Sequence, residues 1–65
     1  MKSVTTVEVD RSDCEFDASA CMGAMKAVLD EMCRKLPNFT LMKIESKNQR
    51  SYGVWALVVR IEWNI

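Results

Sequence analysis

Histidine is absent from this chain of 65 residues. With it go the commonest general base, proton shuttle and metal ligand. Glycine occurs only at Gly23 and Gly53 and proline only at Pro37, so no glycine-rich loop is present to cradle a phosphate. The cysteines, Cys14, Cys21 and Cys33, are odd in number and form no closely spaced pair. That argues against a closed disulfide framework and against a zinc site. The longest uninterrupted apolar run, Val54 to Val59, is far short of a membrane span. The opening MKSVTTVEVD has no apolar stretch of signal-peptide length, so a cytoplasmic location with reduced thiols is expected.

What is present is the composition of a folded domain, 49% hydrophobic, in a chain long enough for one domain, residues 1–65. A domain this small buries only about 60% of the surface that its unfolded chain exposes, so it needs outside support. With disulfides and metals disfavoured, partner subunits are the expected source.

The stretch from Asp17 to Leu36 is the strongest local signal. At helical spacing Ala18, Cys21, Met22, Met25, Val28, Leu29, Met32, Cys33 and Leu36 fall on one apolar arc, roughly 140° wide. Asp17 is placed to cap the start, Arg34 and Lys35 complement the negative end of the dipole, and Pro37 stops the helix. Cys21 and Cys33 sit on the edges of the arc and read as small core residues. They lie about 18 Å apart along the axis, too far to bond to each other. Cys14 is the one thiol expected outside the core, with the acidic residues Asp13, Glu15 and Asp17 around it. The same acidic run lacks the glycine turn and the spacing of a calcium loop.

Three strands surround this helix. Val4 to Asp10 alternates as a strand, and Phe39 to Lys47 is a second, with Met42 and Ile44 on one face. Asn48 to Ser51 contains no tight-hairpin pair such as Asn-Gly, which predicts a longer loop. In the last strand Trp55, Leu57, Val59, Ile61, Trp63 and Ile65 make one apolar face that belongs under the helix. On its other face Val54, Ala56 and Val58 are apolar, while Arg60, Glu62 and Asn64 are not. A strand apolar on both faces belongs at the centre of its sheet. The expected fold is α+β, β-α-β-β, a three-stranded antiparallel sheet with the last strand central and one helix on one face.

One helix covers one face of a sheet. The stripe Val54, Ala56 and Val58 is therefore assigned to self-association, as a homodimer or larger assembly. Charge is uneven along the chain, which reads first as two halves that offset each other inside one fold and, as the alternative, as an acidic face of one copy meeting a basic face of another. Residues 1–33 carry three cations against seven anions and residues 34–65 six against two, so acidic and basic halves offset within a net charge of zero. Lys43, Lys47 and Arg50, close to Tyr52 and Trp55, are the candidate surface for a partner macromolecule. Glu45 interrupts the cluster and the chain is neutral overall, which favours a protein over nucleic acid.

The β-α-β-β order, at this length and with this need for partner subunits, resembles the dodecins, small hollow-sphere flavoproteins that store flavins between subunits. In that family a tryptophan at the start of the second strand stacks on the flavin, and the matching position here is Phe39. A glutamine of the last strand that touches the flavin ring is replaced, since the candidate positions hold Ala56, Val58 and Arg60. DCEFDAS stands where the family has a small-residue turn before a Ser-Trp helix start. The resemblance is one of layout. It implies an alternative function, a carrier of flavin or nucleotide in which Phe39, Tyr52 or Trp63 stacks a flat ligand at a subunit junction. The first expectation remains a non-enzymatic inhibitor or adaptor of the sort carried by phages and mobile elements. It binds another protein and itself, and needs no cofactor and no membrane.

Overall fold

A computed structural model describes all residues, Met1–Ile65. The periodic run after Asp17 forms α1, Ala18–Lys35, and Asp17 is its N-cap, with a carboxylate oxygen accepting from the Ala20 N–H at 2.8 Å. At the other end the Leu36 N–H donates to the Met32 carbonyl at 2.7 Å, and Pro37 prevents a further turn. The strands are β1 (Lys2–Ser12), β2 (Thr40–Ser51) and β3 (Val54–Asn64). They form one sheet in the order β1-β3-β2, both neighbours antiparallel to the central β3. The two-sided apolarity of β3 thus places it where strand pairing protects both of its edges.

α1 lies over β2 and β3. Beneath it Leu57, Val59 and Ile61 meet Ala24 and Met32, and these five are the only buried residues. Cys21, Met25, Val28, Leu36, Phe39, Ile44 and Trp63 pack around them half-buried. The inward face of the helix is rotated by roughly 50° from the sequence arc, at 100° per residue. Met22 and Cys33, expected inside, are exposed, whereas Ala24 is buried. A methyl side chain lets the helix axis approach the sheet closely. Hydrophobic periodicity gives an alanine little weight, so this choice of face escaped the pattern.

Two bulges break the strict alternation. β1 gains a residue at Val9, between Glu8 and Asp10, and β2 gains one at Met42, between Leu41 and Lys43. Met42 therefore does not share the register of Ile44, which pairs with Ile61 under the helix. The longer loop expected at Asn48 to Ser51 is absent. β2 runs to Ser51, opposite Val54, and the connection is the two residues Tyr52 and Gly53. Both adopt positive φ, 52° and 77°, as the mirror-image turn that suits twisted hairpins requires. Glycine meets that demand freely. Tyrosine does so under strain, and its ring is fully exposed.

Candidate interaction surface

Opposed residues of antiparallel strands point to the same side, so the ladder registers define each face. The face away from α1 carries Val54, Ala56 and Val58 along its centre. Val58 sits between Glu8 of β1 and Lys47 of β2, and Ala56 between Arg11 and Gln49. No helix lies over this stripe. Val54 is 38% exposed, while Ala56 and Val58 are half-buried among their longer neighbours.

Lys43 and Lys47 belong to this same outer face, opposite Glu62 and Val58. Arg50 pairs with Trp55 and points to the helix side. The three cations therefore form no single patch, and two of them share a surface with the self-association stripe. The three lie along one strand of the hairpin but on both of its faces. The odd spacing of Lys47 and Arg50, three apart, is the signal that they lie on opposite faces.

Farther along the outer face lies an ionic ladder. Glu62 receives Lys2 Nζ at 2.6 Å and an Arg60 guanidinium nitrogen at 2.5 Å, and Arg60 also reaches Glu45 at 3.6 Å. Hydrogen bonds from Lys2 and then Arg60 hold the Glu62 carboxyl down to about 2. Because the folded value lies below the ordinary 4.5, this carboxylate stabilises the fold above pH 4.5, and the contribution fades as pH falls toward 2. Melting curves recorded between pH 5 and pH 2 should show a steeper fall for the wild type than for Glu62→Gln.

The candidate stacking residues do not converge. Phe39 and Trp63 meet edge to face with ring centroids 6.4 Å apart, and the Trp63 indole N–H donates to Thr5 Oγ1 at 2.9 Å. Tyr52 occupies the hairpin tip, nine residues from the Trp63 rung when counted from Val54, or about 30 Å at strand rise. Phe39 and Trp63 are joined through the edge of the core.

The sequence did not expose two features. Asn48, read as a turn residue, points to the helix side and clamps the chain before α1. Its Nδ2 donates to the Phe16 carbonyl at 2.9 Å, and its Oδ1 accepts from the Phe16 N–H at 3.1 Å. The second feature is a groove of about 570 Å³ between β1 and α1. With α1 over the other two strands, Thr5, Val7 and Val9 of β1 face Val28, Met32 and Leu36 across open space. Glu8, Glu31 and Lys35 line its rim. Glu8 pairs with Arg11, and Glu31 with Arg34 and Lys35, so those charges are matched locally. Lateral placement of the helix creates this groove, and no one-dimensional pattern encodes it.

Cys14 and Cys33 are exposed and Cys21 is half-buried, where its Sγ accepts from Asn48 Nδ2 at 3.7 Å. No three cysteine, aspartate or glutamate side chains cluster as a metal site would require. No helix is long and apolar enough to cross a membrane. No family model, curated protein or solved structure matches the chain.

Proposed function

We propose that the chain is a non-enzymatic interaction protein of the cytoplasm, homo-oligomeric, that binds another protein as an inhibitor or adaptor of the sort phages and mobile elements carry. One observation carries this reading. Ten large apolar side chains are exposed, against five apolar residues buried. A chain with that balance carries apolar surface that contact with protein would cover. Self-association uses the outer stripe Val54, Ala56 and Val58. Lys43 and Lys47 beside it, with Arg50 around the hairpin, meet the partner.

Sedimentation velocity tests the first part. Wild-type protein should sediment as a dimer or larger, and Val58→Asp, which sets a second carboxylate beside Glu8, should weaken association at least tenfold while the circular dichroism spectrum is retained. A wild type that stays monomeric at millimolar concentration overturns the reading. Affinity capture followed by mass spectrometry then identifies the partner.

The β1–α1 groove favours a second reading, a small-molecule carrier, because its volume falls within the range of about 300–1,000 Å³ typical of ligand pockets. Its ligand would contact aliphatic side chains, since Phe39, Tyr52 and Trp63 do not line the groove. Native mass spectrometry of freshly purified protein, showing a retained small molecule or none, separates the two.

A further inference from the structure

The sheet has two open edges, and they differ. β2 carries Lys43, Glu45, Lys47 and Arg50, the charged side chains that keep a foreign strand off an edge. β1 is uncharged from Ser3 to Val7 and bears one charge at each end of that stretch, Lys2 and Glu8. Its ladder with β3 is regular from Lys2 to Glu8, and the Val9 bulge closes the regular segment.

We propose that this edge pairs with the same edge of a second copy, antiparallel about a two-fold axis at Thr5, which joins the two sheets into one of six strands. The inference rests on the self-association proposed above and names a contact distinct from the Val58 stripe. A two-fold at Thr5 opposes Thr5 to itself, Val4 to Thr6, Ser3 to Val7 and Lys2 to Glu8 of the second copy. Each pair shares a face, because Lys2, Val4, Thr6 and Glu8 all lie on the outer side. Both ends of the paired segment then close on opposite charges, which is favourable for directly facing residues. Centring on Val4 instead sets Lys2 against threonine, and centring on Thr6 sets Glu8 against valine. The Thr5 register alone uses the whole regular segment and matches both charges. Lys2 already holds Glu62 and Glu8 already accepts from Arg11, but the ammonium has a donor and the carboxylate lone pairs to spare for each other across the axis. The added strand also covers Val4 and Val7, which stand 49% and 36% exposed. In total the chain exposes 4658 Å², against about 4,200 Å² for a compact monomer of its mass.

Cross-linking tests the register. In a background with Cys14→Ser, Cys21→Ser and Cys33→Ser, Thr5→Cys places two thiols opposite each other across the axis. Opposed Cα atoms lie about 4.5–5.5 Å apart, within disulfide reach. Thr6→Cys sets its two copies diagonally, about 7–8 Å apart, beyond efficient bridging. Mild oxidation should convert most Thr5→Cys protein to a covalent dimer and little of Thr6→Cys. Because Thr5 also anchors Trp63, a charge exchange provides an independent arm. Lys2→Glu should weaken dimerisation about tenfold by sedimentation, and adding Glu8→Lys should restore it. A wild type that self-associates without Thr5 cross-linking or charge rescue overturns the edge pairing alone. A monomeric wild type overturns both the pairing and the self-association beneath it.

Discussion

Ile61→Ala should leave the chain largely unfolded at 25 °C. Ile61 and Val59 are the two fully buried side chains, both 0% exposed, in a core of only five residues. Truncating a buried isoleucine to alanine costs about 2–5 kcal/mol, the larger values where the cavity cannot collapse. A chain this small rarely holds more than about 3–5 kcal/mol in total. The substitution therefore consumes most or all of the margin. Far-ultraviolet circular dichroism and urea titration provide the measurement, and Lys26→Ala on the exposed side of α1 is the control. The control should shift the urea midpoint little, because Lys26 is exposed and lies outside both the core and the proposed contact surfaces. A folded Ile61→Ala with an unchanged midpoint would show that stability resides elsewhere, for instance in contacts between copies.

The second large effect is expected at Asn48. One side-chain amide satisfies both backbone groups of Phe16 and so fixes where the chain turns from β1 into α1. Asn48→Ala leaves a partly buried N–H and carbonyl without partners, at about 1–3 kcal/mol for each group that water does not recover. A loss of about 2 kcal/mol corresponds to a fall of roughly 10 °C in the melting temperature at this size. Hydrogen exchange at the Phe16 amide should accelerate in the variant before global unfolding does. Asn48→Asp discriminates further. It keeps the acceptor for the Phe16 N–H but turns a carboxylate oxygen toward the Phe16 carbonyl, so it should be less stable than the wild type at pH 7 and recover part of the loss near pH 3.5, once protonated.

Strand order was legible from β3 alone. Alternation on two faces at Trp55 to Val59 distinguishes a central strand from an edge strand, and that distinction orders the sheet. The helix ends were legible as well, because Asp17, Arg34, Lys35 and Pro37 act locally. What escaped depended on contacts across the fold. Ala24 faces the sheet for its small size, which periodicity does not weigh. Tyr52 adopts positive φ because Gly53 and the pairing of β2 with β3 enforce the turn, against the residue's own preference. The candidate surfaces divided in the same way. The Val54, Ala56 and Val58 stripe follows from the period of two, whereas the β1–α1 groove and the split between Lys47 and Arg50 needed the register and the helix position.

The central place of β3 has a consequence for synthesis. β1 and β2 flank it and neither pairs with the other, so every rung of the sheet needs the strand made last among the four elements. On the ribosome the emerging β1, α1 and β2 can form a transient helix but no sheet, and three of the five core side chains are still to come. Folding must then wait for translation of β3.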